Sequence, residues 1–183
     1  MGASVRAAVL GTAATAAMTA GLASCGQTES AQQRSPARAG CPVTAANART
    51  PPGENPSPDV HGNGKLWTSL HRDGKFIVAP ESAPEYLGQD GEIAVDGVLL
   101  PDGSVGIKAP WWRGPGVRGR VRVRARRLDA PAPRVDRTVR PSGYGLTGFQ
   151  AMGLELPSTG CWKVTGSAAK ARLTFVTLVE RAR

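Results

Sequence analysis

Apolar and polar residues alternate along several short stretches of this chain, as they do in strands that bury one face of a sheet. The alternation is clearest over residues 117–128, where small apolar residues occupy one side and five arginines occupy the other. The arginines are Arg118, Arg120, Arg122, Arg124 and Arg126. Because successive side chains of a strand point to opposite faces, this stretch predicts one strand with a basic face.

A second strong pattern lies near the C-terminus, where residues 156–166 read Leu-Pro-Ser-Thr-Gly-Cys-Trp-Lys-Val-Thr-Gly. The Pro and Gly residues predict a turn, and the alternation after it places Cys161 and Trp162 on opposite faces of a strand. A further apolar run at 171–180 follows the short segment Ser-Ala-Ala-Lys. The two runs predict a terminal β-hairpin.

Six further stretches have the length and alternation of strands: 65–71, 75–79, 92–100, 104–112, 134–140 and 149–156. Asp-Gly pairs, which favour hairpin turns, stand at Asp73 and Asp102 between such stretches. No stretch has the period of a convincing helix. Short strands with regular turn signals predict an all-β domain over residues 60–183, an antiparallel immunoglobulin-like β-sandwich. The immunoglobulin-like part is a fold-level analogy and implies no function.

Residues 1–24 have the composition of an export signal, with Arg6 as their only charge and an Ala-rich apolar run at 7–20. The run is too short and too weakly apolar for a spanning helix, which needs about 20 apolar residues. The four residues Leu-Ala-Ser-Cys at 22–25 resemble the lipobox of bacterial lipoproteins. This resemblance implies cleavage before Cys25, a thiol that carries diacylglycerol with acyl chains such as palmitate, and anchoring to the outer face of the cell membrane. The alternative is an ordinary secretory signal that leaves Cys25 as a free thiol.

Residues 25–59 are rich in Gln, Ser, Pro, Ala and Gly and contain no run of large apolar residues, which predicts a flexible tether. Cys41 lies in this polar stretch and Cys161 lies in a predicted core strand. In an oxidising compartment we expect a disulfide bond between them, the alternative being two unpaired thiols. The chain has no CxxC motif and only two histidines, so we expect no metal site.

Several segments resemble a family of uncharacterised exported bacterial proteins of actinobacterial type, many of them lipoproteins. These segments are residues 62–67, 108–114, 127–130, 143–150 and the Gly-Cys-Trp-Lys-Val-Thr-Gly run at 160–166. The resemblance covers roughly residues 41–179. It implies an exported lipoprotein, but it implies no activity, ligand or catalytic residue.

The formal net charge of +9 favours an anionic partner, such as anionic lipid, an anionic wall polymer or an envelope protein. We do not expect nucleic acid outside the cell. Arginine makes bidentate contacts with phosphates and carboxylates, so the five alternating arginines are the candidate anion-binding site. Trp111 and Trp112 are candidates for stacking beside it. The alternatives are that the arginines form a solvated face or protect an edge strand, and that the tryptophans belong to the core.

No residue pattern predicts a catalytic centre or a cofactor. His61 and His71 stand beside turn residues, and the aspartates lie mainly in Asp-Gly turns, which turn formation alone explains. Residues 156–160 match the LPxTG sorting motif, but the apolar run after them is too short to span a membrane, so the motif predicts a turn. Residues 114–119 fit GxGxxG but open a strand rather than a helix.

We expect a non-enzymatic binding or interaction module. The alternatives are an accessory protein that docks a membrane-protein partner and an extracytoplasmic hydrolase.

Overall fold

The computed structural model describes residues 40–82, 95–139 and 144–183. This part of the chain is nearly all β, as predicted, with a single helical turn, α1, at His71–Gly74. The strands are β1 Val60–Gly62, β2 Leu66–Ser69, β3 Lys75–Pro80, β4 Gly97–Leu99, β5 Val105–Lys108, β6 Trp111–Arg113, β7 Arg122–Arg127, β8 Val135–Thr138, β9 Gly148–Gln150, β10 Gly153–Leu156, β11 Gly160–Ala168 and β12 Ala171–Arg181. The predicted signal peptide, Cys25 and the first part of the predicted tether lie outside the described residues. In the described ranges, no helix has the length and apolar character that crossing a membrane requires.

Eight strands form a large sheet in the order β10-β5-β4-β3-β12-β11-β7-β8. The predicted terminal hairpin, β11–β12, lies inside this sheet, and Ala168 pairs with Ala171 next to its turn. β3 runs parallel to both β12 and β4. The sheet is therefore mixed rather than fully antiparallel as predicted, because strands far apart in sequence pair in ways that local alternation does not report.

Four strands form a smaller sheet in the order β1-β2-β6-β9. Ala109 and Pro110 separate β5 from β6, and Ala151 and Met152 separate β9 from β10. β5 pairs with β10 in the large sheet, while β6 pairs with β9 in the small sheet. One bent pair of antiparallel segments therefore passes through both sheets, and the strands predicted at 104–112 and 149–156 are each divided in two.

The two sheets pack around an apolar core with tryptophans at its centre. Trp111 on β6 and Trp162 on β11 are 1% and 0% exposed. The ring of Trp111 lies directly over Gly166 of β11, where a Cβ atom would overlap it. Gly166 therefore allows the small sheet to approach the large one, since any side chain at this position would occupy the space of the indole.

The first described residues pack against the large sheet. Cys41 and Cys161 form the predicted disulfide bond, with their Cα atoms 5.5 Å apart. The Thr44 amide donates a hydrogen bond to the carbonyl of Val176 on β12, and the Val176 amide donates one to the Thr44 hydroxyl. The folded part of the chain thus begins before residue 60, which was its predicted start, and the C-terminal part of the predicted tether belongs to it.

The observed strand in the region 117–128 is shorter than the stretch of alternating residues that predicted it. β7 begins only at Arg122. Gly119 has a φ of 95°, in the left-handed region that favours glycine, which interrupts an extended strand. The strand predicted at 92–100 corresponds to β4, which comprises only Gly97–Leu99. Residues 92–94 lie outside the described part of the chain.

Candidate anion-binding face

Three arginines project from the outer face of β7. Arg122, Arg124 and Arg126 are exposed, whereas Val123 and Ala125 between them are buried in the core. The burial of the small apolar residues is what turns the arginines outward, because neighbouring side chains in a strand point to opposite faces.

Residues of the two neighbouring strands extend this surface. On β11, Lys163 lies opposite Arg126 and Thr165 lies opposite Arg124. On β8, Asp136 lies opposite Arg124. A shallow, open groove of about 580 Å³ lies among these strands. Arg134, the residue before β8, is exposed and also lines this groove. We call the five cations of this surface the basic face: Arg122, Arg124, Arg126, Arg134 and Lys163.

One carboxylate neutralises part of the basic face. Asp136 accepts hydrogen bonds from Arg122 at 2.6 and 2.5 Å and from Arg124 at 3.2 Å. The hydrogen bond from Arg122 is the main cause that lowers the pKa of Asp136, and the same bond raises the pKa of Arg122. Because these side chains are exposed, the cluster adds little stability, but it leaves Arg122 and Arg124 already paired.

The remaining three cations of the basic face have no such partner. Arg126, Arg134 and Lys163 form no ion pair with any residue in the described ranges. Lys163 stands directly across from Arg126, and like charges in that position repel each other in a sheet. An anion in the groove would relieve this repulsion, and the fork of N–H donors on arginine matches phosphate and carboxylate oxygens.

The other predicted site residues do not belong to this face. Arg118 and Arg120 are exposed but lie in the bend before β7. Trp111 is buried in the core, so it cannot stack on a surface ligand. Trp112 lies on β6 of the small sheet, with its ring centroid 5.3 Å from that of Phe149. The prediction that the tryptophans stack beside the arginines is therefore wrong, and the core alternative describes Trp111.

An exposed apolar surface on the small sheet was not predicted. Trp67, Trp112 and Phe149 lie side by side across β2, β6 and β9. The ring of Tyr144 contacts Phe149 at a centroid distance of 6.0 Å. Exposure rises across this group, since Trp67 is 4% exposed and Phe149 is 42% exposed. Leu146, in the loop between Tyr144 and β9, is 67% exposed. We call Trp112, Tyr144, Leu146 and Phe149 the aromatic patch.

A buried arginine holds the loop next to the aromatic patch. Arg113 on β6 is 3% exposed, and burial lowers its pKa. Its guanidinium donates hydrogen bonds to the backbone carbonyls of Gly119, Gly145, Leu146, Thr147 and Gly148. The side chain thus joins the bend before β7 to the loop before β9. Sequence patterns do not reveal this role, because every one of these partners is a backbone atom.

A Ser-His-Asp grouping lies beside α1 and was not predicted. The Ser69 hydroxyl oxygen is 3.2 Å from Nε2 of His71, and Nδ1 of His71 is 4.0 Å from a carboxylate oxygen of Asp96. The second distance is too long for a hydrogen bond. The other carboxylate oxygen of Asp96 accepts a hydrogen bond from the amide nitrogen of Ile77 at 2.6 Å. Between these two described residues, the orienting hydrogen bond of a catalytic triad is therefore not formed. Over the described ranges, no group of three or more His, Cys, Asp or Glu side chains is placed to hold a metal ion.

Comparison with known proteins identifies no relative: no protein-family model, curated protein or solved structure matches this chain. The most distinctive run, at 160–166, has structural roles in β11. Cys161 forms the disulfide, Trp162 fills the core and Gly166 admits Trp111. These roles specify a fold rather than a ligand, so functional inference depends on the surfaces described above.

Proposed function

We propose that this chain is a lipid-anchored protein of the cell envelope that acts as a non-enzymatic binding module through its basic face. The observation that carries this proposal is the cluster of Arg126, Arg134 and Lys163, three cations without an ion-pair partner in the described ranges, around an open groove. Maintaining like charges side by side costs stability, and an anionic partner offsets that cost.

The proposed location is the outer face of the cell membrane. Residues 1–24 act as the signal peptide, and Cys25 carries the lipid. The disulfide between Cys41 and Cys161 agrees with an oxidising compartment outside the cytoplasm. The resemblance to exported lipoproteins and the immunoglobulin-like topology both remain predictions.

Partners of this module are anionic components of the envelope, namely lipid headgroups, wall polymers or the acidic surface of an envelope protein. Arginine-rich surfaces attract such groups over distances of about 10 Å at moderate salt. Nucleic acid and cofactors have no part in the proposal.

Titration of the purified chain with inorganic polyphosphate tests the basic face. We expect binding that weakens with added salt and that falls at least about tenfold in the double variant Arg126→Gln, Lys163→Gln. The matched control is Lys65→Gln, Lys108→Gln, which removes the same charge outside the groove. Equal weakening in both double variants, or no binding to polyphosphate at all, would overturn the proposal.

A second candidate function is docking of a membrane-protein partner, and the aromatic patch favours it. Leu146 is 67% exposed and Phe149 is 42% exposed. Exposed apolar groups of this kind are frequent in protein interfaces. A photo-crosslinking residue at position 146 would then join the chain to one membrane protein, whereas the same residue at position 126 would not. Crosslinking from position 126 alone would count against this candidate.

A further inference from the structure

The predicted tether enters the folded part of the chain on the same side of the large sheet as the basic face. Lys163 and Thr165 alternate with buried residues along β11, and Cys161, although itself buried, occupies a position of the same outer face. Cys41 is bonded to Cys161, two positions from Lys163. The disulfide therefore fixes the end of the tether beside the basic groove.

We propose that the basic face is the side of the protein that rests on the membrane, where it binds the headgroups of anionic phospholipids. This inference rests on the proposed function, because it assumes the lipid on Cys25. Membrane attachment through a lipid is strengthened when a basic surface supplies a second contact. The positive charge of the basic face is opposite to that of anionic headgroups. The disulfide between Cys41 and Cys161 places this face next to the part of the chain that leads to Cys25.

The length of the predicted tether fits this arrangement. Cys25 precedes Cys41 by 16 positions in the sequence. Sixteen residues reach no farther than roughly 55 Å even when fully extended. The lipid therefore keeps the groove near the bilayer surface at a high effective concentration of headgroups.

The arrangement leaves the aromatic patch available to other partners. Trp112 and Phe149 lie on the outer face of the small sheet, whose inner residue Trp111 packs against the large sheet. The basic face and these two aromatic residues are thus on opposite sides of the sandwich. Contact of the basic face with lipid does not cover them.

Vesicle binding by the full chain carrying Cys25→Ser, which cannot be acylated, tests the proposal. The probes are vesicles of phosphatidylcholine alone and of phosphatidylcholine mixed with phosphatidylglycerol. We expect binding to the mixed vesicles only, and about 100-fold weaker binding in the triple variant Arg126→Gln, Arg134→Gln, Lys163→Gln, since each basic residue near an anionic surface contributes roughly fivefold. The matched control variant is Lys65→Gln, Arg49→Gln, Arg181→Gln, three exposed cations outside the groove, which we expect to bind like the parent chain.

The outcomes separate this inference from the proposed function. Equal loss in both triple variants would show that net charge alone governs binding and would overturn the assignment of a lipid-facing side. Binding to polyphosphate or to isolated anionic wall polymer without binding to the mixed vesicles would overturn the lipid assignment and leave the proposed function standing. Failure to bind any of these anions would overturn both.

Discussion

Arg113 on β6 is buried, and its described hydrogen-bond partners are all backbone carbonyls. Five partially negative oxygens replace the water that a guanidinium would otherwise bind. A hydrogen bond to a charged group is worth more than a neutral one, and an unpaired buried charge is costly. This single residue therefore ties the loop at 145–148 to the bend at Gly119.

Replacing Arg113 by lysine keeps the charge but removes the fork of donors. We expect Arg113→Lys to lower the free energy of unfolding by about 2–4 kcal/mol, because a lysine ammonium cannot reach all five carbonyls. Urea denaturation measures the change. Arg118→Lys, at an exposed position in the bend, is the control and should stay within about 0.5 kcal/mol of the parent. Equal stability of the two variants would contradict the structural role of Arg113.

Gly166 is the point at which the indole of Trp111 meets the large sheet. We expect Gly166→Ala to lower the free energy of unfolding by roughly 1–3 kcal/mol, since the added methyl group overlaps a fully buried ring. Thermal unfolding gives the comparison. The control is Gly106→Ala on β5, where a Cβ atom meets nothing within 4 Å. If both alanines have the same effect, the close approach of Trp111 is not what requires glycine at 166.

For single residues, the sequence predicted which side chains are buried better than it predicted which side chains contact each other. Alternation correctly indicated that Val123 and Ala125 face the core while the arginines between them face outward. It did not indicate that Arg113 is buried or that Asp136 pairs with Arg122. Those contacts depend on the order of strands in the sheet, and alternation within one strand contains no information about its neighbours.

The β11–β12 hairpin lies in the middle of the large sheet and pairs with a further strand on each side. β11 pairs with β7 on one side, and β12 pairs with β3 on the other. The turns and alternation at 156–180 predicted this hairpin because its contacts are local. The sequence did not predict the parallel pairing of β3 with β12, since these strands are separated by most of the domain.

The disulfide between Cys41 and Cys161 joins the N-terminal segment to the β11–β12 hairpin across a sequence separation of 120 residues. We expect the double variant Cys41→Ala, Cys161→Ala to lose about 3–5 kcal/mol of stability, because the bond restricts a long loop in the unfolded chain. Guanidinium denaturation measures this loss. Cys25→Ala leaves the disulfide intact and serves as the control. A double variant as stable as Cys25→Ala would show that the segment at 41–44 needs no covalent bond.

The strand pair β7–β11 places Lys163 against Arg126. We expect Lys163→Glu to raise the free energy of unfolding by about 0.5–1 kcal/mol, because a repulsive cross-strand pair becomes an attractive one. The same variant should bind polyphosphate more weakly. Lys108→Glu, whose cross-strand partner is Gly153, should change neither quantity much. A loss of stability in Lys163→Glu would mean that the two cations do not repel each other in the folded protein.

The whole molecule has two surfaces of different character on opposite sides of the sandwich. Arg122, Arg124 and Arg126 of β7, Lys163 of β11 and Arg134 just before β8 make one side basic, while exposed aromatic side chains mark the outer face of the small sheet. Composition alone indicated a basic protein. It did not indicate the apolar side, because Trp112 and Phe149 meet only through the pairing of β6 with β9.

The proposed contact of the basic face with anionic groups of the membrane depends on a lipid at Cys25 that holds the disulfide-bonded domain there. The most direct test is intact-mass analysis of the protein extracted from membranes. We expect a chain that begins at Cys25, carries a diacylglycerol-type lipid and has the mass deficit of one disulfide bond. A chain that retains residues 1–24, has no lipid and can be alkylated at all three cysteines would contradict the account.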